Sequence, residues 1–403
     1  MTTVGDKKYK VIGTRPIRHD GADKVTGRAI YGIDYHMTGM LWGKILRSPH
    51  AHAKIKGIDA SKALGLPGVY AVITGKDMAV ASDIEVEAGE TSLNYMHLSD
   101  NVMARDKALY KGHAVAAVAA DTQHIAEEAL ALIDVDYEVL APVLNGREGM
   151  KPDAPLIHPD QTTKVMAFRF DPGTDSGEKS NVAGKSQLKL GDIDAGFKEA
   201  DFSVEREFTT SWVHQGYIEA QNATAHWNND GNITVWNSSQ GTFNQRQLMA
   251  EILKHPVSQI KMVPQEIGGG FGGKIPVYLE VPAAMLSKKT GHPVKMTMSR
   301  TEVFEGTGPA SAAQMKAKIG ATKDGRITAA YAELVFEAGA FPGSAVGAGA
   351  QGMFTAYNIE NILIDGYAVV VNKPKSAAYR SPGTPQACFP AEALMDELTE
   401  KIG

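Results

Sequence analysis

The sequence predicts an α+β fold, because apolar runs typical of strands are interspersed with stretches of helical periodicity. Residues 41–46 and 68–74 are strand-like, and residues 202–208 alternate with period two, as a strand with one solvated face does. Residues 114–139 contain an apolar run, an amphipathic stretch and a second strand-like run, which is the pattern of a β-α-β unit. A length of 403 residues suits two or three domains with large apolar cores.

Changes of composition divide the chain into four parts. Residues 1–18 are polar and lack periodicity, which predicts a loosely held N-terminal arm. Residues 19–140 form a first α+β domain, in which Asp121 could cap a helix with an apolar stripe of Ile125, Ala129, Leu130 and Ile133. Residues 141–187 contain five prolines and a patch rich in Gly, Ser, Asp and Lys, so we expect an extended connector without a core of its own. Residues 188–403 form the last domain.

The last domain alternates predicted strands and helices. Strands are expected at 232–237, 259–263 and 294–298, and helices at 243–253, 277–289 and 386–402. The first of these strands leads to Gln240, and Gly403 stands where a glycine commonly ends a helix. The stretch 339–352 holds Gly or Ala at nearly every other position, so another group can approach its backbone closely. The stretch could form the wall of a substrate channel, or it could accommodate the packing of another segment.

Composition excludes several classes of function. The net charge is −5 with both signs interspersed, so no basic surface for nucleic acid or anionic lipid is implied. The sequence has no secretory signal and no apolar run of eighteen residues, and we expect a cytoplasmic protein without a membrane partner. Its one cysteine, Cys388, cannot supply the four ligands of a [2Fe–2S] cluster.

A glycine-rich stretch dominates the last domain. Residues 268–273 comprise five glycines and Phe271, and such a loop can bring backbone N–H groups against a bulky anionic ligand. The spacing Gly268-x-Gly270-x-x-Gly273 satisfies a dinucleotide fingerprint, but the next strand ends in Ser299-Arg300-Thr301 rather than an acidic residue. A P-loop would need Ser or Thr where Ile275 follows Lys274. Each of these two nucleotide-binding motifs therefore lacks one residue that it requires.

Three stretches together resemble the molybdenum-binding subunit of the xanthine oxidase family of molybdenum hydroxylases. They are Asn237-Ser-Ser-Gln-Gly-Thr-Phe243, Gly-Gly-Gly-Phe-Gly-Gly-Lys at 268–274, and Ala378-Tyr-Arg-Ser-Pro-Gly-Thr-Pro-Gln386. The resemblance runs from about residue 19 to the last residue. It implies an aldehyde oxidase/xanthine dehydrogenase a/b hammerhead domain at 19–140, followed by the first α+β molybdopterin-binding domain at 188–403. The implied cofactor is molybdenum–molybdopterin, in its cytosine dinucleotide form.

The resemblance also assigns roles to individual residues. Gln240 matches the glutamine that hydrogen-bonds an oxygen ligand on molybdenum, and Arg380 matches an arginine that touches the pterin region. The positions lying against the cofactor and its ligands are Gly269, Gly270, Phe271 and Gly272. No protein side chain is expected to ligate the metal. The implied reaction is attack of a molybdenum-bound hydroxyl on an electrophilic carbon, with hydride transfer to a sulfido ligand.

Family members continue for a comparable length beyond the part that this chain matches. That second half supplies the glutamate that acts as general base, and some members carry it on a separate polypeptide. We therefore expect a hetero-oligomer with a second molybdenum-subunit half and an iron–sulfur subunit carrying [2Fe–2S] clusters. A flavin subunit with FAD is a further expected partner. The alternatives are a non-catalytic scaffold subunit and a dinucleotide-binding oxidoreductase domain that uses Gly268–Gly273.

Three positions bear on the substrate. Purine-oxidising members carry a glutamate at the position of Ile275, and carbon monoxide-oxidising members carry a copper-holding cysteine at that of Ser381. Pro382 replaces a phenylalanine that stacks on the purine ring. The expected substrate is consequently a small aldehyde or a non-purine aromatic or N-heteroaromatic compound.

Two residue pairs that contain histidine carry weaker signals. His214 and Glu219 could perform acid–base chemistry, although structural hydrogen bonding is the favoured interpretation. His50 and His52 share one face of a strand but have no third metal ligand nearby, so a metal site is not favoured.

Overall fold

A computed structural model describes residues 10–88, 91–166 and 173–403 of the chain. Residues 1–9 of the expected arm and 167–172 of the expected connector lie outside the described residues. The strands of the described part are β1 (Leu41–Arg47), β2 (Ala53–Asp59), β3 (Val69–Thr74), β4 (Glu85–Ala88), β5 (Thr91–Asn94), β6 (Lys107–Ala108), β7 (Ala114–Ala120), β8 (Asp134–Val139), β9 (Thr162–Met166), β10 (Thr174–Lys179), β11 (Val182–Leu190), β12 (Phe202–Thr210), β13 (Asn222–Trp227), β14 (Ile233–Asn237), β15 (Ile260–Pro264), β16 (Val294–Thr297), β17 (Ala313–Ala321), β18 (Ile327–Gly339) and β19 (Ile362–Val370).

Helices cover both large sheets of this part. They are α1 (Gly21–Thr26), α2 (Ser61–Leu64), α3 (Tyr95–Val102), α4 (Gln123–Ala131), α5 (Gly146–Gly149), α6 (Ile193–Glu199), α7 (Thr242–Leu253), α8 (Glu280–Thr290), α9 (Arg300–Gly306), α10 (Val346–Gly352) and α11 (Thr384–Ile402). The predicted α+β class is confirmed, and the helices expected at 243–253, 277–289 and 386–402 correspond to α7, α8 and α11.

The first seven-stranded sheet has the order β15-β14-β13-β16-β1-β7-β3. It combines strands of the expected hammerhead part with strands of the last domain, because β1 pairs in parallel with β16, Leu41 opposite Val294. At its edge β14 and β15 also run in parallel, with Asn237 opposite Pro264. Since parallel strands end at the same edge of a sheet, the segments that follow β14 and β15 emerge side by side.

The second seven-stranded sheet has the order β10-β9-β11-β19-β18-β17-β12. Helix α11 packs on β12 and β17, and its buried residues Leu394 and Leu398 join a core formed by the inner faces of β17 and β18. The apolar stripe of the last helix thus has the burial that its periodicity predicts. The chain enters α11 directly after the stretch around Arg380, so this packing also fixes the third motif.

Two expectations about residues 114–139 were wrong. Helix α4 is capped by Thr122, whose hydroxyl accepts from the Ile125 N–H at 3.2 Å, rather than by Asp121. Thr122 has the extended backbone of a capping residue and its hydroxyl reaches the third helical N–H. The expected β-α-β unit does not close, because β7 lies in the first large sheet whereas β8 pairs with β2 in a three-stranded sheet.

The segment 141–187, expected to be an extended connector without a core of its own, is instead part of the folded structure. It contributes β9, β10 and most of β11 to the second large sheet, and it buries Val143 and Ile157 against β18 and β19 residues. The prolines that suggested an extended segment lie outside these described strands. In the described residues, no helix is both long and apolar enough to cross a membrane.

Candidate functional site

The first two motif stretches meet at the edge where β14 and β15 end. The Gln240 side-chain oxygen Oε1 accepts hydrogen bonds from the backbone N–H of Gly272 at 2.9 Å and of Lys274 at 3.1 Å. The Gln240 N–H in turn donates to the Lys274 carbonyl at 3.1 Å. The glycine-rich loop is therefore shaped around the carboxamide of Gln240.

This arrangement determines which end of the carboxamide is available to a ligand. An N–H can only donate, so the amide atom that faces both loop N–H groups must be the oxygen. The Gln240 Nε2 group then points away from the loop; the residue is exposed, and no acceptor for Nε2 occurs among the described residues. Gln240 consequently presents an N–H donor, which is the role that a hydrogen bond to an oxygen ligand requires.

Deeper in the same edge, a buried network holds the start of the first motif. The Asn237 amide donates to Gln245 Oε1 at 2.8 Å and to Glu280 Oε1 at 2.7 Å, and all three side chains are buried. Burial raises the pKa of the Glu280 carboxyl. The network ties the end of β14 to α7 and α8, so Gln240 projects from a rigid base.

The third motif crosses the glycine-rich loop. The Arg380 N–H donates to the Phe271 carbonyl at 2.9 Å. Gly272 has φ +106°, and a Cβ there would lie 2.6 Å from the Ala378 carbonyl carbon. A Cβ on Gly270 would lie 2.7 Å from the Gln240 side-chain carbon Cδ. Both glycines are thus required by the close approach of the other two motifs to the loop.

Backbone strain is concentrated at this crossing. Of the four non-glycine residues with positive φ in the described chain, three are Phe271 (φ 53°), Arg380 (φ 20°) and Ser381 (φ 62°). Such conformations cost about 1–3 kcal/mol each and cluster at ligand sites. The side chains of these three residues are exposed, and Ile275 and Pro382 beside them are half-buried. Of the residues that the sequence assigned to cofactor and substrate, Gly270 and Gly272 are buried, whereas Gln240, Phe271, Arg380 and Ser381 are exposed.

A buried ion pair supports the loop from below. Lys274 Nζ lies 2.6 Å from Glu219 Oε2, and the same oxygen accepts from the Gly268 N–H at 2.8 Å. Burial lowers the pKa of the Lys274 ammonium, and the neighbouring Glu219 carboxylate partly offsets that shift. No signal in the sequence indicates this pair, because the two residues are far apart in the chain and belong to different segments.

The same contacts speak against the nucleotide-binding alternatives. The Lys274 ammonium is paired with Glu219 rather than free to reach a phosphate. The loop does not open a helix either, since α8 begins at Glu280. Several loop N–H groups bond within the protein, namely those of Gly268, Gly272, Gly273, Lys274 and Ile275. Bonded N–H groups and a distant helix terminus cannot cradle a pyrophosphate as a dinucleotide fingerprint does.

His214 and Glu219 do not act on each other. Burial, together with the nearby Arg300, lowers the pKa of the His214 imidazole to about 4. Nδ1 of the neutral ring accepts from the Gly216 N–H at 3.1 Å, so Nε2 donates to the Thr307 hydroxyl at 2.8 Å. Structural hydrogen bonding, the favoured interpretation, is what the geometry shows.

The surface formed by the three motifs offers donors rather than metal ligands. Besides Gln240 Nε2, the loop N–H groups of Gly269, Gly270 and Phe271 have no bonding partner within the described residues, and the Arg380 side chain is exposed. Within those residues, no group of three or more His, Cys, Asp or Glu side chains could hold a metal ion, and His52 hydrogen-bonds the Ala141 carbonyl instead. Such a donor set fits a cofactor that presents hydrogen-bond acceptors and brings its own metal ligands.

Comparison with known families gives two matches. Residues 175–403 match the molybdopterin cofactor-binding domain, and residues 26–141 match the aldehyde oxidase and xanthine dehydrogenase a/b hammerhead domain. The predicted succession of a hammerhead and a molybdopterin-binding domain is confirmed. The exact domain limits at 19–140 and 188–403 stay predictions.

Individual relatives agree with these matches. The chain is 31% identical over 400 residues to the nicotinate dehydrogenase large molybdopterin subunit of Eubacterium barkeri, covering 98% of this chain and 88% of that subunit. It is 30% identical over 414 residues to the carbon monoxide dehydrogenase large chain of Afipia carboxidovorans, covering 98% of this chain and 49% of that protein.

Solved structures show the same relation. Quinoline 2-oxidoreductase from Pseudomonas putida superposes with a TM-score of 0.85 at 26% identity, covering 98% of this chain and 49% of that one. Aldehyde oxidoreductase from Desulfovibrio gigas superposes with a TM-score of 0.83 at 28% identity, covering 96% of this chain and 41% of that one. The chain thus spans most of one curated relative and about half of the others described here.

Proposed function

Since the chain belongs to the xanthine oxidase family of molybdenum hydroxylases, we propose that it is the molybdenum-cofactor subunit of a multi-subunit dehydrogenase. In this proposal the complex oxidises an aldehyde or an aromatic or N-heteroaromatic compound with oxygen from water. Electrons pass to iron–sulfur clusters on a partner subunit. The observation that carries the proposal is the meeting of Gln240, the glycine-rich loop and Arg380 on one open, donor-rich surface.

Each of these groups has a defined task in the proposal. The molybdenum–molybdopterin cofactor, in its cytosine dinucleotide form, supplies the two-electron redox chemistry when bound. Gln240 donates from Nε2 to an oxygen ligand of the metal, with its direction set by the loop N–H groups on Oε1. The N–H groups of Gly269–Phe271 and the guanidinium of Arg380 hold the pterin side of the cofactor. The protein thereby orients the cofactor and polarises its ligands.

The general base is proposed to come from a partner. Glu219 contacts the loop, but its carboxylate already accepts from Lys274, Gly268 and Asn222. Both of its oxygens are therefore already hydrogen-bonded within the protein. The second half of the molybdenum subunit, which the family resemblance implies, is the proposed source of the base.

Exposed apolar side chains around the site support such a partner. Ile218 is 89% and Phe243 81% exposed, and Val213, Phe271 and Phe304 are about half exposed. Phe304 packs edge-on against His214, and Arg300 lies 5.6 Å from the Phe304 ring centre and donates to the Ile218 carbonyl, so Phe304 and Ile218 are linked through Arg300. A patch of this kind marks an interaction surface. We propose that the second molybdenum-subunit half covers it, with an iron–sulfur subunit and a flavin subunit completing the complex.

Metal and pterin analysis tests the function. The complete complex is expected to contain about one molybdenum and one pterin per copy of this chain, whereas the chain produced alone is expected to retain neither, because its apolar face lacks its partner. A complete complex with no bound cofactor would favour the scaffold alternative. A complex holding only a nucleotide would favour the dinucleotide alternative.

Substitutions of Gln240 separate its two roles. Gln240→Glu keeps an acceptor for the Gly272 and Lys274 N–H groups but loses the donor at Nε2, whereas Gln240→Ala loses both. We expect both variants to reduce turnover or metal affinity by about 10–100-fold, the usual effect of removing a supporting hydrogen bond to a metal ligand. Only Gln240→Ala should also loosen the loop, measured as faster amide hydrogen exchange at Gly272. Unchanged turnover of Gln240→Glu at full molybdenum occupancy would reduce Gln240 to a structural residue.

The substrate class is proposed from the three positions beside the crossing. Ile275 cannot hydrogen-bond a purine nitrogen, and an unpaired polar edge costs about 1–3 kcal/mol. Ser381 offers a hard oxygen donor where a copper-holding thiolate would be needed. We expect the complete complex to turn over a simple aldehyde or a pyridine-type compound at least tenfold faster than xanthine or carbon monoxide. Xanthine turnover equal to that of the best other compound would contradict this.

A further inference from the structure

A buried glutamine connects the third motif to the glycine-rich loop. Gln215 lies between β12 and β13 and is only 6% exposed. Its side-chain nitrogen Nε2 donates to the Ala378 carbonyl at 2.7 Å and to the Gly308 carbonyl at 3.0 Å. A carbonyl can only accept, so the amide atom that faces these two groups must be the nitrogen. Both N–H bonds of the Gln215 amide are therefore used to hold backbone carbonyls.

The Ala378 carbonyl is the group of the third motif that lies against the loop. A Cβ on Gly272 would lie 2.3 Å from the Ala378 oxygen, and this is the same oxygen that accepts from Gln215. Two residues later, the Arg380 N–H donates to the Phe271 carbonyl at 2.9 Å. Gln215 thus holds the third motif next to the bond that ties Arg380 to the loop.

The loop also rests on the Gln215 carboxamide itself. A Cβ on Gly273 would lie 3.0 Å from both Cδ and Oε1 of Gln215. Oε1 is buried and has no hydrogen-bond partner within the described residues. Buried polar atoms are nearly always paired, so the amide keeps this orientation although its acceptor is unused. The two carbonyls that need a donor therefore determine how the side chain is turned.

Neighbouring backbone contacts keep Gln215 in place. The Ala310 N–H donates to the Val213 carbonyl at 2.9 Å, so the segment before Gln215 runs antiparallel to the segment around Ala310. That second segment contacts the residues just before the third motif, because the Ala377 N–H donates to the Pro309 carbonyl at 2.9 Å. Since its backbone is fixed in this way, the reach of the Gln215 side chain sets the position of the Ala378 carbonyl.

We propose that Gln215 is a positioning residue of the cofactor surface, whose carboxamide fixes the distance between the third motif and the glycine-rich loop and thereby the place of Arg380. The inference rests on the proposed function in so far as Arg380 and the loop hold a cofactor. The contact between the third motif and the loop belongs to this chain alone, so it can be measured with or without the cofactor.

Removal of the two donors tests the positioning directly. Gln215→Met keeps the length of the side chain and removes both N–H donors. We expect the Arg380 amide hydrogen to exchange about tenfold faster than in the parent protein, because its bond to Phe271 opens more often. Affinity for the molybdenum cofactor should fall by about 10–100-fold. Exchange is measured on the purified complex by mass spectrometry with fragmentation, in cofactor-containing and cofactor-free preparations. Unchanged exchange at Arg380 in both preparations would overturn the inference.

A matched variant distinguishes positioning from general loosening. Asn361 also makes two hydrogen bonds with the backbone, donating to the Thr328 carbonyl at 2.9 Å and accepting from the Asp192 N–H at 2.8 Å. It directly precedes β19, whereas the third motif follows the other end of that strand. Asn361→Leu should lower stability in chemical denaturation and leave the Arg380 exchange and the cofactor content as in the parent. If Asn361→Leu accelerated exchange at Arg380 as much as Gln215→Met does, the positioning role would be refuted.

A carboxyl group of the same shape adds a pH profile that loss of packing alone would not give. In Gln215→Glu, burial and the two facing carbonyls raise the pKa of the new carboxyl above its usual value of about 4.3. The neutral acid has one O–H donor for a carbonyl, whereas the carboxylate has none. Relative to the parent at the same pH, exchange at Arg380 should therefore be close to normal at about pH 5 and faster at about pH 9, with cofactor content falling in parallel. This variant decides by itself if Gln215→Met does not assemble, and the same relative exchange at both pH values would show that no donor is needed here.

The outcomes separate this inference from the proposed function. If the parent complex holds neither molybdenum nor pterin, the proposed function fails, while faster exchange at Arg380 in Gln215→Met still supports the inference. If the parent complex holds both and Gln215→Met retains them with unchanged exchange at Arg380, the proposed function stands and the inference is lost.

Discussion

Replacement of Gly272 by alanine is expected to lower turnover by about 100-fold and to strip most of the cofactor from the complex. At φ +106° an alanine is strained, and its Cβ would lie 2.6 Å from the Ala378 carbonyl carbon and 2.8 Å from the Ala378 Cβ. Backbone rather than a flexible side chain occupies the space, so the loop or the 378–386 stretch must move. A displacement of about 1 Å at a reacting centre can cost about 100-fold in rate.

The matched control isolates this contact from backbone strain. Gly291 also has a positive φ, +73°, but no atom lies within 4 Å of a Cβ built there. Gly291→Ala should lose about 1–2 kcal/mol of stability through the left-handed backbone alone and keep full cofactor and turnover. Molybdenum content, pterin content and turnover are measured in both variants. Full molybdenum occupancy and normal turnover in Gly272→Ala would show that the approach of the third motif to the loop is not needed.

The fold was predictable from sequence wherever one segment carries its own pattern. The amphipathic stripe of α11 and the apolar runs of β1 and β7 are local signals, and the structure has these elements where the periodicity places them. By contrast β10 is exposed along its whole length, from Thr174 to Lys179, so it shows no apolar alternation. A strand of that kind is specified by its neighbour in the sheet, β9, and period analysis cannot detect it.

The sequence also did not indicate which strands belong to the same sheet. β1 and β16 are separated by about 250 residues but pair in parallel, so the first large sheet draws on both the hammerhead part and the last domain. Dividing the chain by changes of composition predicts a separate core for each of these parts. Their strands share one apolar core, in which Leu41 and Ile45 pack with Val294 and Met296.

The motifs of the candidate site were predictable from the sequence, but the contacts that hold their residues in place were not. The family resemblance named Gln240, the glycine-rich loop and Arg380, and the structure brings these three together. The resemblance could not indicate which end of the Gln240 amide is free, because that follows from the hydrogen bonds of two backbone N–H groups in another segment.

Replacement of Lys274 by methionine is expected to reduce the free energy of unfolding by about 3–5 kcal/mol, the usual cost of removing one partner of a buried ion pair. Lys274 is 1% exposed and Glu219 9%, and their charged atoms are 2.6 Å apart. Methionine has a similar length but leaves the Glu219 carboxylate buried without its cation. The remaining donors to Glu219, the Gly268 N–H and the Asn222 amide, cannot neutralise its charge.

A surface pair and a double variant make the test specific. Lys62 and Asp134 form an ion pair of similar length, 2.8 Å, with side chains 65% and 66% exposed, so Lys62→Met should cost no more than about 1 kcal/mol. Glu219→Gln combined with Lys274→Met removes both charges and should recover more than half of the lost stability, because no buried charge is left unpaired. Chemical denaturation of the four proteins gives the values. If Lys274→Met costs as little as Lys62→Met, the pair does not support the loop, and the rigidity of the Gly268–Lys274 stretch must come from the Gln240 hydrogen bonds and the crossing by the third motif.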